Sequence, residues 1–189
     1  MVMGMSEVEK RRKRCCFTGH RPEKLKCDEA TIKSALSCGI DAAIQDGYRT
    51  FISGMTRGVD IWAAELVLER RVFDVSLHLI CAHPYLGFER AWSQDWQVRY
   101  RTILRQADLV KAINPSFSRV VFQRRNEWMV DHSNRLIAVY NGSSGGTRNT
   151  IAYAKREKLE IVICEPMGTQ LVKQINLTDR GRGGRMNRL

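Results

Sequence analysis

The sequence lacks the features of a membrane or secreted protein. No apolar run in its 189 residues approaches the ~18 residues that a helix needs to span a bilayer. The basic stretch at positions 10–14 precedes only a short apolar or small segment, Cys15–Thr18, which is too brief for the hydrophobic region of a signal peptide. We therefore expect a cytoplasmic protein without membrane contacts.

The cysteines and histidines form no recognisable ligand pattern. The six cysteines are scattered and include no CxxC pair, which argues against both a zinc site and a disulfide framework. Reduced cytosolic thiols fit this distribution better. Since the four histidines also lack a ligand spacing, we expect no metal and no required cofactor.

The excess of positive charge is concentrated near the ends of the chain. The formal net charge is +11, and both the N-terminal tail at 1–13 and the glycine- and arginine-rich segment at 167–189 are basic. The second segment is poor in apolar residues, which predicts disorder. Such tails can contact nucleic-acid phosphates or simply remain solvated, and the sequence favours the second alternative.

Between the tails, residues 14–166 alternate between short apolar runs and helical patterns. This alternation predicts one α/β domain of Rossmann type, with a doubly wound, mostly parallel sheet of about six strands and flanking helices. The predicted strands are 14–18, 49–53, 76–82, 109–114, 135–140 and 160–164, and the predicted helices are 28–45, 58–71, 87–106, 120–132 and 145–158.

The turn after the first strand carries groups suited to an anion. Ligands of such sheets bind outside the carboxyl ends of the strands. There, Gly19 permits a tight turn, and His20 and Arg21 supply hydrogen-bond donors. Because the planar guanidinium of arginine matches phosphate and carboxylate oxygens, we favour a binding role over a plain surface turn.

The turn after the second strand has spaced glycines before a helix. An anion can approach backbone amides at such a helix N-terminus. Asp60 can cap the helix or accept a hydrogen bond from a sugar hydroxyl. The pattern is neither a Walker A loop nor GxGxxG, so by itself it is weak. The candidate ligand-binding residues here are Ser53, Gly54, Thr56, Gly58 and Asp60.

The turn after the fifth strand is the best candidate for a phosphate site. Its small residues allow the backbone to form an anion-binding nest, and the following helix adds the positive end of its dipole. A flexible loop that only caps this helix is the alternative. The candidate residues are Ser143, Ser144, Gly145, Gly146 and Thr147.

Two further residues are candidates for catalysis. Glu89 follows the third strand and is either a partner of a helix N-terminus or a general base facing the cleft. Arg125, followed by Asn126, lies on the helix before the fifth strand and can reach over the phosphate turn. His83 alone is more typical of a turn residue than of a catalyst.

The motifs together resemble a known family. CCFTGHRPEKL, SGMTRGVDIWAAE, HPYLGFERAW and RRNEWMVDHSNRLIAVYNGSSGGTRNTIAYAKR resemble the YpsA-like family of the SLOG superfamily, named for Smf, DprA and the lonely-guy phosphoribohydrolases. The resemblance covers about residues 14–165. It implies a Rossmann-like sheet with a nucleotide-type pocket, and a role in ligand binding or sensing rather than a settled reaction.

The lonely-guy enzymes, which cleave nucleoside monophosphates, have the motif PGGxGTxxE and an upstream Arg-Lys pair. Gly146-Thr147 matches the GT, Ser143-Ser144 replaces two glycines, and Arg125-Asn126 occupies the place of the pair. Thr150 stands where the motif has glutamate. Cleavage of an N-glycosidic bond builds positive charge that a carboxylate stabilises, so this replacement favours binding over hydrolysis.

Three functions remain open from the sequence. The first is binding or sensing of a phosphate-containing, nucleotide-derived ligand such as an ADP-ribose-like or NAD-related molecule. The second is a nucleotide N-glycosidase that uses Glu89 or Asp60, and the third is DprA-like binding of single-stranded DNA. A homodimer is also an option, with Trp92 and Trp96 either at its interface or in the monomer core.

Overall fold

The computed structural model describes residues 6–165 and the backbone of residues 173–175. A short 3-10 helix covers Pro22–Lys24. The α-helices are α1 (Glu7–Arg12), α2 (Glu29–Gln45), α3 (Val59–Arg71), α4 (Gln94–Gln106), α5 (Val121–Asp131) and α6 (Gly146–Arg156). The strands are β1 (Arg14–Gly19), β2 (Thr50–Ser53), β3 (His78–His83), β4 (Leu109–Ala112), β5 (Arg135–Val139), β6 (Glu160–Ile163) and β7 (Lys173–Ile175).

The strands form one sheet in the order β4-β3-β2-β1-β5-β6-β7. The first six are parallel, and β7 pairs with β6 in the antiparallel direction. The strand order reverses between β1 and β5, which are direct neighbours, with Gly19 opposite Val139. The predicted doubly wound α/β fold is confirmed, and the reversal opens a crevice at the carboxyl ends of these two strands.

Alternating side chains of the strands build a core on each face of the sheet. On β1, Cys15 and Phe17 pack with residues of α2, α3 and α4, whereas Cys16 packs on the opposite face with residues of α5 and α6. The helices bury matching stripes. In α2, for example, Ile32, Leu36 and Ile40 recur at helical spacing and are fully buried.

The structure differs from the sequence prediction in the segment after β3. A helix was expected from residue 87, but α4 begins at Gln94. Gly87 has a φ of +82°, and Phe88 packs edge-on against Trp92 and Tyr100, so this segment folds as turns around an aromatic cluster. Trp92 and Trp96 pack against the core and are only partly buried.

The terminal segments contain regular structure that the sequence did not indicate. In the basic N-terminal segment, Ser6 caps α1 through a reciprocal pair of hydrogen bonds with Glu9. In the segment predicted to be disordered, Lys173–Ile175 form β7. The other residues of 167–189 lie outside the described residues. In the part of the chain that is described, no helix has the length and apolar character to cross a membrane.

Candidate functional site

A cavity of about 410 Å³ lies at the carboxyl ends of β1 and β5, where the strand order reverses. The turns after β1, β2 and β5 all contribute to it, together with α5. Its walls are formed by Phe17, Thr18, Gly19, His20, Arg21, Lys24, Thr56, Asp60, Phe122, Arg125, Asn126, Gly146 and Thr147.

The turn after β1 places a neutral histidine in the cavity wall. Gly19 is required for close approach of α3, because a Cβ there would lie 2.5 Å from Cβ of Val59. The His20 ring is buried and stacks on Tyr140 with 5.9 Å between centroids. Burial, followed by the nearby Lys24 charge, lowers the pKa of His20 below 6.5. Its Nε2 has no hydrogen-bond partner among the described residues.

Lys24 brings a positive charge to the turn after β5. Its Nζ lies 3.9 Å from the point that a Cβ on Gly145 would occupy. The two turns are joined by Asn141, whose Nδ2 donates to the Lys24 carbonyl at 2.9 Å. The Oδ1 of Asn141 accepts from the Ser143 amide at 3.0 Å. The backbones of the turns after β1 and β5 are therefore tied together, and the exposed Lys24 side chain extends beside the second turn.

The turn after β5 leaves the start of α6 open. Gly142 and Gly145 have φ angles of +86° and +132°, which glycine adopts without strain. No side chain caps α6, so its first amides point outward at the positive end of the helix dipole. A Cβ on Gly146 would meet only Asn126 Nδ2, at 3.9 Å. An anion can therefore approach Gly146 and Thr147 directly.

The serines of this turn lie further out than the sequence suggested. Gly146 and Thr147 line the cavity, whereas Ser143, Ser144 and Gly145 are exposed and are not among its lining residues. The helix start, rather than the serine hydroxyls, thus provides the groups that face the cavity.

The polar groups of the turn after β2 are hydrogen bonded to one another. The Ser53 hydroxyl donates to the Asp60 carbonyl at 2.8 Å and accepts from the Met55 amide at 3.1 Å. The Thr56 amide donates to Asp60 Oδ2 at 3.2 Å. A Cβ on Gly58 would lie 2.8 Å from the His20 carbonyl oxygen, so that glycine serves the packing of two turns. Only Thr56 and Asp60 of this turn reach the cavity wall.

Arg125 is held by this same turn. Its guanidinium donates to the Gly54 carbonyl, to Thr56 Oγ1 at 3.1 Å and to Asn126 Oδ1 at 2.8 Å. Nη1 also lies 3.6 Å from Asp60 Oδ2, and both side chains are buried. Burial lowers the pKa of Arg125 and raises that of Asp60, and each charge partly offsets this effect on the other. Arg125 therefore anchors the turn after β2 and also lines the cavity, so its catalytic role stays a prediction.

Glu89, the other predicted catalytic residue, is not among the residues that line the cavity. It lies near His83 and Tyr100, whose side chains are hydrogen bonded to each other through Nδ1 and the hydroxyl. Burial lowers the pKa of His83, and the Glu89 charge acts in the opposite direction. The aromatic cluster around Phe88 thus places Glu89 beside His83 rather than in the cavity wall.

Sequence reasoning missed several residues of the cavity wall. Lys24 lay three residues beyond Arg21, and its position after the same strand was an available signal. Phe17, Thr18 and Phe122 gave no such signal, because buried apolar and small polar residues occur throughout the strands and helices. In residues 6–165, no group of three or more His, Cys, Asp or Glu side chains is arranged to hold a metal ion.

Together, the reversed strand order and the uncapped start of α6 define a Rossmann-like protein with a cavity at the carboxyl ends of its central strands. Comparison with known proteins gives the family. The model named YpsA, described as the YspA SLOG family, matches residues 15–164. The chain therefore belongs to this family.

Curated relatives agree with this assignment. UPF0398 proteins of Bacillus thuringiensis (strain Al Hakam) and Bacillus cereus (strain AH187) are each 34% identical over 152 residues, covering 76% of this chain and 83% of the relative. The fold is similar to a solved structure of DNA processing protein A from Helicobacter pylori, which was described for its single-stranded DNA binding mode. The TM-score is 0.58 at 15% identity, over 83% of this chain and 66% of the other, just under two thirds of its length.

Proposed function

We propose that the protein binds a phosphate-bearing, nucleotide-derived ligand in the cavity between the turns after β1 and β5. The observation that carries the proposal is the uncapped start of α6, with Lys24 Nζ beside Gly145 and open space at Gly146. Backbone amides, a helix dipole and an ammonium group converge there, and each favours an anion. Membership in the SLOG family supports the same ligand class.

The rest of the cavity suits a nucleoside better than a bare phosphate ion. Its volume of about 410 Å³ falls in the range of small-molecule sites, roughly 300–1,000 Å³. The half-buried Phe122 offers apolar surface for a base, while Thr18 and Asp60 place polar groups in the wall for sugar hydroxyls. In this proposal, the start of α6 and Lys24 contact the phosphate, and the mixed apolar and polar wall contacts the nucleoside.

Cleavage of an N-glycosidic bond is a second candidate, because Asp60 is a carboxylic acid in the cavity wall. A carboxylate there would stabilise positive charge on the ribose as the bond from C1′ to the base nitrogen breaks and the base takes the bonding electrons. Water would then add its hydroxyl to C1′, and its remaining proton would go to the base nitrogen. Thr150 cannot take this role, since it is buried and its hydroxyl donates to the Gly146 carbonyl at 2.8 Å.

The experiment is a thermal-shift and calorimetric titration with AMP, IMP, NAD and ADP-ribose. At least one should raise the melting temperature, since a ligand that binds the folded state stabilises it. Lys24→Ala should weaken that ligand about tenfold, whereas Lys26→Ala, an exposed lysine that does not line the cavity, should not. Equal losses in both variants, or no ligand at all, would count against the proposal.

The same samples separate binding from cleavage. Release of free base that Asp60→Asn abolishes would establish the N-glycosidase, whereas stabilisation without release supports a binder. Because the Helicobacter pylori neighbour was described for single-stranded DNA binding, an oligonucleotide belongs in the same titration. Competition between oligonucleotide and mononucleotide, lost in Lys24→Ala, would place DNA phosphate at this cavity as well.

A further inference from the structure

An exposed apolar surface lies on the opposite edge of the sheet from the cavity. The turn that follows α3 exposes Val72 at 76%, Phe73 at 94% and Val75 at 86% of their areas, and Val98 on α4 is 51% exposed. Isolated exposed apolar residues are ordinary, but a contiguous group of this kind marks an interaction site.

A groove lies beside this group, between α3 and α4. It has a volume of about 380 Å³, and its apolar walls include Leu68, Val72, Val98 and Ile103. This space has room for a phenyl ring. Because Val72 lines the groove and Phe73 follows it directly, a protruding ring and a receiving groove stand side by side on one surface.

The backbone holds the turn with Phe73 in a fixed conformation. The amides of Phe73 and Asp74 both donate to the Arg70 carbonyl at 3.0 Å. The Ser76 amide and hydroxyl donate to Asp74 Oδ1 at 3.0 and 2.6 Å. A partner that binds here would therefore not have to order the turn, which reduces the entropic cost of association.

The charged side chains beside the groove can face opposite charges on a second copy of the chain. Within it, Arg99 pairs with Glu65 at 2.6 Å, so this charge is already neutralised. On the α3 side, Glu69 lines the groove with its side chain 61% exposed and 4.0 Å from Lys33 Nζ. On the α4 side, the exposed Arg105 follows the lining residues Val98 and Thr102 at helical spacing, which places it at the rim. A two-fold axis across the groove would bring the acidic wall of one copy against the basic wall of the other.

We propose that this surface forms a two-fold homodimer in which Phe73 of each copy enters the groove of the other and Glu69 faces the partner's Arg105. The four exposed side chains offer on the order of 500 Å² per copy, or ~1,000 Å² for the pair, which lies at the lower limit for a biological interface. Both cavities stay open in this dimer because they lie at the other edge of the sheet. The inference does not depend on the proposed ligand.

The first test is the oligomeric state of the full chain by sedimentation velocity, in the presence of a thiol reductant because Cys38 is exposed. We expect a concentration-dependent dimer. Phe73→Ala should weaken it by about thirtyfold or more, as for a central aromatic at an interface. Phe117→Ala is the matched control, since Phe117 is 64% exposed but lies beyond β4. A monomer at the highest soluble concentration, or equal effects of the two variants, overturns the proposal.

The second test uses charge reversal to identify the partner as a second copy. Glu69→Arg alone places like charges opposite each other at both contacts, and so does Arg105→Glu alone, so each variant should be monomeric. A mixture of the two variants restores both attractive contacts and should form a heterodimer. Melting temperatures verify that each variant is folded. Failure of the mixture to associate overturns the proposed arrangement.

Discussion

The turns after β2 and β5 both place glycines between a strand and a helix, yet the space beside their glycines differs. A Cβ on Gly54 would lie 2.5 Å from Arg125 Cζ and 2.8 Å from Asp60 Oδ2. A Cβ on Gly146 would meet nothing closer than Asn126 Nδ2, at 3.9 Å. The first glycine therefore makes room for the protein's own side chains, and the second leaves room for a ligand.

This difference shows that a glycine-rich turn is not by itself a binding site. In the β2 turn, the polar groups are already hydrogen bonded to one another, and the Arg125 guanidinium fills the space beside Gly54. In the β5 turn, the helix amides remain open and the nearest cation, Lys24, stands beside them. We therefore expect substitutions in the β2 turn to change mainly the free energy of unfolding, and substitutions in the β5 turn to change mainly ligand affinity.

The largest expected effect follows from removal of the charge in the β2 turn. Arg125→Met should destabilise the fold by about 3–5 kcal/mol at neutral pH, because it leaves Asp60 buried without its ion-pair partner. Urea unfolding measures the loss. Lys24→Met, which removes an exposed cation from the β5 side, should lower ligand affinity with little change in unfolding free energy.

A double variant tests the cause of that loss. Asp60→Asn in the Arg125→Met background removes the unpaired charge and should recover part of the stability. If the double variant is less stable than the sum of the single variants predicts, then charge burial is not the reason.

A smaller effect is expected when Gly54 and Gly146 are each replaced by alanine. Gly54→Ala should cost about 1–3 kcal/mol through overpacking against Arg125 and Asp60. Gly146→Ala should leave the unfolding free energy within about 0.5 kcal/mol, since alanine is tolerated at a helix start, but should weaken the ligand at least tenfold, about 1.4 kcal/mol. Calorimetric binding and urea unfolding on both variants measure this contrast, and a reversed pattern would contradict it.

The smallest effect concerns the two buried histidines. Burial lowers the pKa of both His20 and His83 below 6.5, so the unfolded chain binds protons more readily than the folded one. The contribution of these histidines to the free energy of unfolding is therefore fully present above pH 6.5 and is lost as the pH falls below it. An anionic ligand beside His20 should show the opposite trend and bind more tightly at lower pH.

Variants assign these two trends to the two histidines. His83→Gln should reduce the pH dependence of unfolding to the part that His20 contributes and leave that of ligand binding unchanged. His20→Gln should remove the pH dependence of binding. Parallel titrations of melting temperature and affinity across this range test the assignment, and it is wrong if His83→Gln alters the affinity profile.

The fold was predictable because its determinants are local and repeated. Helical spacing of Ile32, Leu36 and Ile40 marks α2, and short apolar runs between turn residues mark the strands. The start of α4 was not predictable, since the pairing of Phe88 with Trp92 and Tyr100 overrides the helical pattern after Gly87. Strand β7 follows from pairing with β6, which its own sequence does not show.

The location of the candidate site was predictable, but the division of roles was not. Strand order places the turns after β1 and β5 together, and the sequence indicated both. Whether Arg125 faces a ligand or the Gly54 carbonyl depends on contacts between residues 71 positions apart, which no local pattern records. Glu89 illustrates the same limit, because the aromatic cluster determines where its carboxyl group lies.

The bridge through Asn141 has a consequence for the rate of binding. Because this side chain ties the Lys24 carbonyl to the Ser143 amide, the two turns that face the cavity need no loop closure before a ligand enters. Association should then be limited by diffusion and by the attraction of Lys24 and Arg21 for an anion, and should slow as ionic strength rises. Without the Asn141 side-chain amide, the association rate of the ligand would depend on the motion of two turns that are no longer hydrogen bonded to each other.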